Sequence, residues 1–265
     1  LSTHFFDAIS QGEAMRAILT AACAIGLSAG LAQAALVSQW TFDDTPNDAV
    51  GTRHLTLNGS TSYSTNVPKG NGKSLALSGG WGSYDVTAPD IISGTFSIAA
   101  WVNSELPGIN GSHAWIGSRG PSDTSFDAKF WRQSETTKRI HGDIGTGTSW
   151  LTNDADVSPF DFQPGVWYHI TYVVQPGSYQ IFVNGVLAAS GVFGGGDPLL
   201  IDENHDLGIG AISVTGGENF HGFLDDVRIY DHALTSAEIL SFIPEPNALS
   251  LLAAGGLLAV RRRRA

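Results

Sequence analysis

Residues Tyr179–Ala189 read YQIFVNGVLAA, and this run constrains the fold more than any other. Apolar, β-prone stretches flank Asn184-Gly185, and Asn-Gly supplies the positive φ angles that a type I′ hairpin turn requires. A chain with such a hairpin carries antiparallel sheet, and the same grammar recurs elsewhere. Phe96–Val102 (FSIAAWV) places Phe96, Ile98, Ala100 and Val102 on one face by alternation. Leu36–Phe42, Trp167–Val174 and Phe223–Tyr230 read as further strands, with Asn58-Gly59, Asn71-Gly72 and Asn110-Gly111 as further turns. One helix is signalled, by the capping box Thr235-Ser236-Ala237-Glu238, and it runs through Phe242. Charged residues make up only 15% of the chain and glycine contributes 32 of 265 residues, which excludes disorder and coiled coil. Many short strands with regular turns predict an all-β sandwich.

Both ends read as addresses and not as fold. Met15-Arg16 opens a leader, Ala17–Leu31 is its apolar run, and Ala32-Gln33-Ala34 has the form of a signal-peptidase site cut after Ala34. The lone Cys23 lies inside that run, so the segment after the cut has no thiol or disulfide chemistry. At the other end, Pro244-Glu245-Pro246 precedes an apolar run from Ala248 to Val260 and then Arg261–Arg264. The run is short for a membrane span, and the arginines favour a transient anchor held from the cytoplasmic side. This pattern resembles the PEP-CTERM sorting signal of Gram-negative bacteria. The resemblance implies processing by an exosortase near Pro244-Glu245-Pro246, and a link to exopolysaccharide or biofilm matrix.

The segment between is the domain, residues 35–242. There 9 Lys and Arg face 22 Asp and Glu, a net charge of −13. Such a surface repels nucleic acid and, outside the cell, suits calcium. Gly222-Phe223-Leu224-Asp225-Asp226-Val227-Arg228-Ile229-Tyr230, followed by Ala233-Leu234-Thr235 and Ala237-Glu238-Ile239, resembles the closing signature of laminin-G-like domains of the concanavalin-A-like lectin/glucanase superfamily. Ser74–Val86, Phe96–Val102, Val166–Val174 and Ile181–Ser190 fit the same family. The resemblance implies a jelly-roll sandwich of two antiparallel sheets, a fold that hosts lectins, adhesion modules and glycosidases alike.

The family often carries calcium, and its first and last strands are neighbours. That implies a structural calcium held by Asp43 and Asp48 from the opening loop with Asp225 from the closing strand. By alternation Asp225 shares the apolar face of Val227 and Ile229, where an acid needs a partner. Asp202-Glu203-Asn204-His205-Asp206 has acids and an amide at alternate positions, but Leu207 and Ser213 stand where an EF-hand needs Gly and Glu. A polar turn before a strand at Leu207 is the expectation there. For a sugar, exposed aromatic faces with polar neighbours are needed. Trp40, Trp101 and Trp167 sit in family strands and read as core. Trp131, flanked by Arg132 and Gln133, and Trp150, after GTGTS, are the binding candidates. The retaining-glucanase motif Glu-x-Asp-x-Glu is absent from the sequence, so no catalytic residue is assigned. The expectation is an exported, matrix-associated, non-enzymatic module that binds a polysaccharide or glycoconjugate. The rival is an adhesive surface protein that binds other proteins; a glycan-cleaving enzyme is third.

Overall fold

A computed structural model describes residues 35–105, 111–120, 124–134 and 137–243. Ala34, Pro244, Glu245 and Pro246, the leader, the sorting tail and Asn110 lie outside the described residues. The chain runs through β1 (Leu36–Trp40), β2 (Thr56–Asn58), β3 (Thr61–Ser64), β4 (Ser74–Ser78), β5 (Trp81–Tyr84) and β6 (Ile92–Ser93). It continues with β7 (Phe96–Ser104), β8 (Gly111–Gly117), β9 (Phe126–Ser134), β10 (Thr137–Gly145), β11 (Trp150–Thr152) and β12 (Trp167–Gln175). Then come β13 (Ser178–Val183), β14 (Val186–Val192), β15 (Leu199–Ile201), β16 (Leu207–Ile209), β17 (His221–Tyr230) and the helix α1 (Ser236–Ser241).

The strands form two large antiparallel sheets, the jelly-roll-like sandwich that the strand and turn pattern predicts. One has the order β14-β13-β12-β7-β17-β4-β3, with β1 also beside β17. The other runs β11-β10-β9-β8-β16-β5-β2, and β15 pairs with β6 in a small third sheet. The β13–β14 turn is the expected one, with Asn184 at φ 50° and Gly185 at φ 78°.

The main core lies between the two large sheets. Phe96, Ile98, Ala100 and Val102 of β7 all enter it, and so does Trp40. Phe96 meets Phe126 of the opposite sheet edge-to-face at 5.7 Å between centroids, and Tyr172 meets Phe126 in the same way at 5.7 Å. The Tyr172 ring passes so close to β10 that a Cβ on Gly142 would lie 2.7 Å from it, so glycine makes the room. Trp115, from the less regular middle of the chain, is fully buried here. Trp167 departs from expectation: it is half-buried outside the core, with its indole N–H donating to Asn66 Oδ1.

A second apolar cluster covers the outer face of the eight-stranded sheet. Ile239 of α1, with Leu234 and Phe242, packs on Ala99, Val173, Phe182 and Tyr230. The capping box holds α1 in place: Thr235 Oγ1 accepts from the Glu238 N–H, and the Glu238 carboxylate accepts from the Thr235 N–H.

Candidate functional site

The outer face of the seven-stranded sheet is finished in charge. Alternation along β9 sends Phe126, Ala128 and Phe130 into the core, and Asp127, Lys129 and Trp131 outward. On β10, Ile140 and Ile144 go inward while Arg139, His141 and Asp143 go outward. Register then decides the neighbours. Arg139 lies opposite Trp131, and Gly145 lies opposite Trp150 of β11. Both tryptophans therefore share one face, roughly 20 Å apart along β10 at ~3.4 Å per residue.

Each ring keeps part of its surface exposed, and each carries a guanidinium on it. Arg139 sits 4.1 Å from the Trp131 centroid and Arg119 sits 5.1 Å from that of Trp150. His141 meets Trp131 edge-on at 4.8 Å. The polar partners of Trp131 are thus cross-strand residues, not Arg132, which alternation turns away and which is buried.

Between the two tryptophans lies a lattice of ion pairs. Arg119 bridges Asp127 and Asp143. Lys129, only 4% exposed, reaches Asp127, Asp143 and Glu218 at 3.2–3.3 Å. Asp156 accepts from Arg139 at 2.8 Å and from His141 Nδ1 at 2.6 Å, while His141 Nε2 faces Asp143 at 3.3 Å. Burial alone would lower the His141 pKa, but hydrogen bonds to Asp143 and Asp156 raise it to about 9. Burial raises the Asp127 carboxyl to about 6 despite Lys129 and Arg119.

The raised His141 value has a measurable consequence. Its folded-state pKa lies above the ordinary 6.5, so its stabilisation is complete below pH 6.5 and is lost as pH rises through about 9. Urea denaturation at pH 6.5 and pH 9.5 is expected to differ by about 2–3 kcal/mol. His141→Gln is expected to flatten that decline; an unchanged decline would remove His141 as its cause.

At the Arg119 end of the face the sheet opens into a cavity of about 440 Å³. Arg119, Asn204, Asp206, Ser213 and Thr215 bring polar groups to it, and Ile212 and Val214 bring apolar surface. Gly117 lets the Ile212 backbone lie across β8, since a Cβ there would come within 2.5 Å of the Ile212 carbonyl oxygen. The Asp202–Asp206 segment is the expected polar turn. Asn204 N–H and His205 Nδ1 both bond Asp202 Oδ1, and β16 begins at Leu207. Asn204 and Asp206 were legible as a turn, but their convergence with Arg119 depends on a fold-back that no local pattern shows.

The acidic residues expected to hold calcium are only partly brought together. Asp43 and Asp225 do line one cavity of about 250 Å³ on the other large sheet. Asp48 does not join them. Its carboxylate accepts backbone N–H groups from Gln39, Val50, Gly51 and Arg53 at 2.9–3.3 Å, so it braces the β1 loop from within. Burial would raise the Asp48 carboxyl, but these N–H bonds outweigh it and hold the pKa below 3.8.

Asp225 is not on the apolar face either. β17 pairs with β4 through His221–Leu224 and with β1 through Val227–Tyr230. Where it changes partner it bulges, with Asp226 at φ 49°, and the alternation slips by one. Leu224, Val227 and Ile229 therefore face the core, while Asp225 lies beside Trp101 on the outer side. Trp101, expected in the core, lines the same cavity. Burial, then the Asp226 and Asp43 charges, raise the Asp225 carboxyl to about 7.

Asp226 is paired with Arg228 and Gln39, Asp43 Oδ1 accepts the Lys73 N–H, and Lys69 and Lys73 line the same cavity. Calcium needs six to eight oxygens. Among the described residues no three His, Cys, Asp or Glu side chains are grouped to hold a metal.

Comparison with known proteins supports the architecture. The sequence model of a family described as "Concanavalin A-like lectin/glucanases superfamily" matches residues 78–240. Domain 4 of AbnA, a GH43 extracellular arabinanase from Geobacillus stearothermophilus solved in complex with arabinotriose, is similar in structure. The TM-score is 0.60 at 19% identity, over 80% of this chain and 99% of that one. The binding domain of Paraclostridial Mosquitocidal Protein 1 superposes with a TM-score of 0.56 at 14% identity, over 79% of this chain and 51% of that one. The botulinum neurotoxin serotype G binding domain does so with a TM-score of 0.56 at 14% identity, over 78% and 50%. At these identities the likeness is one of fold.

Proposed function

Because the chain belongs to the concanavalin A-like lectin/glucanase superfamily, we propose that its domain is a carbohydrate-binding module, using the outer face of the seven-stranded sheet. The observation that carries this reading is the placement of Trp131 and Trp150 on one face, separated by hydrogen-bonding side chains. Sugar rings present C–H surfaces to aromatic rings and hydroxyls to polar groups, and the part-exposed rings with Arg119, Arg139 and Asp156 beside them offer both. The cavity at Arg119, Asn204 and Asp206 continues it. That a structurally similar domain was solved with arabinotriose makes arabinan a first probe.

The proposed role is binding rather than cleavage, a reading supported by the engagement of Asp127 and Asp143 with Arg119 and Lys129. The proposed contact uses no calcium, and a chelator is expected to leave retention unchanged. The proposed address is the outer surface or matrix of a Gram-negative cell. Export through the Ala34 site and exosortase sorting at Pro244-Glu245-Pro246 would place it there, with exopolysaccharide as partner.

The test is retention of the purified chain on arabinan and on a glycan array. Trp131→Ala and Trp150→Ala are each expected to weaken binding by about tenfold, ~1.4 kcal/mol. The sites are far enough apart for the double variant to lose roughly 100-fold. Undiminished binding by a folded double variant would move the contact off this face. A second reading, adhesion to protein, is favoured by the edge strand β14, where Val186, Leu187 and Val192 are exposed, Val192 by 87%. Loss of all glycan binding in a folded chain would select it.

A further inference from the structure

We infer that the ligand of the Trp131–Trp150 face is an uncharged glycan, and that the ion lattice excludes carboxylated (uronate-bearing) polysaccharides. The inference rests on the carbohydrate-binding reading above and names the class of sugar it admits. The argument is a charge balance. Arg119 is matched by Asp127 and Asp143, and Lys129 by the same two acids and Glu218. Arg139 and His141 converge on Asp156, and His141 also faces Asp143. Among the described residues, Arg119, Lys129, Arg139 and protonated His141 therefore cancel Asp127, Asp143, Asp156 and Glu218.

The balance is also locked. Asp127 is 0% and Lys129 4% exposed, so neither side chain can swing toward a ligand without leaving its partner buried and unpaired. A uronate carboxylate needs a cation that gives more to it than to its present partner. The cations nearest the two rings, Arg139 and Arg119, are both committed to aspartates. Domain-wide charge adds to this, since a net −13 repels a polyanion at long range. Hydroxyl groups, by contrast, accept from the part-exposed guanidinium edges of Arg119 and Arg139 and donate to Asp156 without disturbing an ion pair.

The test compares neutral polymers (linear arabinan, mannan) with carboxylated ones (polygalacturonate, alginate) in affinity gel electrophoresis of the full chain, at low and high salt. Retardation on at least one neutral polymer is expected, insensitive to salt, with at least tenfold weaker retardation on both uronates. Asp156→Asn removes one negative charge between Arg139 and His141, and at a pH where the remaining Asp143 contact keeps His141 protonated it leaves the face net positive. That variant, checked for folding by its tryptophan fluorescence, is expected to gain uronate retention at least tenfold at low salt and to lose the gain at high salt. Wild-type retention on a uronate equal to or above that on the neutral polymers overturns the inference and leaves the carbohydrate reading standing. A folded Asp156→Asn with no gain also overturns it. Retention on neither class overturns both.

Discussion

Lys129→Met is expected to lower the unfolding free energy by about 3–5 kcal/mol at neutral pH, the usual cost of breaking a buried ion pair from one side. The methionine fits the volume of the stem, so the loss is electrostatic. Asp127, Asp143 and Glu218 would keep their places with one cation fewer among them. The sign with pH follows from Asp127. Its folded pKa already lies above the ordinary 3.8, at about 6, and losing Lys129 raises it further. A carboxyl with a raised folded pKa destabilises when ionised and costs nothing once protonated. The deficit of Lys129→Met is therefore expected to be largest near pH 7 and to shrink as pH falls toward 4. Guanidinium denaturation of both proteins across that range measures it. A deficit independent of pH would mean that lost packing, and not stranded charge, is the cause.

Asp48→Ala is expected to cost about 3 kcal/mol or more, because one carboxylate serves four backbone donors. The N–H groups of Gln39, Val50, Gly51 and Arg53 all point at it. With alanine, these part-buried N–H groups lose their shared acceptor. Asp48 has a lowered folded pKa, so its contribution is present above pH 3.8 and fades as pH falls through the lowered value. The difference between wild type and Asp48→Ala should therefore close in strong acid. Equal stability of the two at pH 7 would show that the loop finds other acceptors.

These two residues also mark how far the sequence could be read. Features decided within a few residues were legible. Asn184-Gly185 makes its turn because the required φ angles belong to those two residue types, and the capping box closes across Thr235–Glu238. The strand alternation of Phe96–Val102 was legible because one face is wholly apolar. Features decided by register were not. Nothing local says that Arg139 and His141 lie beside Trp131, since that follows from how β9 and β10 pair. Trp131 and Trp150 were selected for their polar neighbours in sequence, yet strand pairing is what puts them on one face. Asp225 was placed on the wrong side because strict alternation was carried through a bulge, and the bulge exists where β17 trades β4 for β1. Asp48 was read as a ligand because it is acidic and near the first strand. The available sign was Gly51 three residues on: a short acid before a tight turn is more often an acceptor for its own loop.

The two large sheets finish their outer faces by opposite means, one with the apolar cluster under α1 and the other with interlocked charges. Warming acts on them unequally. Ion pairs become cheaper to keep out of water as temperature rises, whereas apolar burial gains little more per unit area. Heat is therefore expected to loosen the molecule first around Ile239 and Phe242 and last beneath Trp131 and Trp150, an order that amide hydrogen exchange on warming would read.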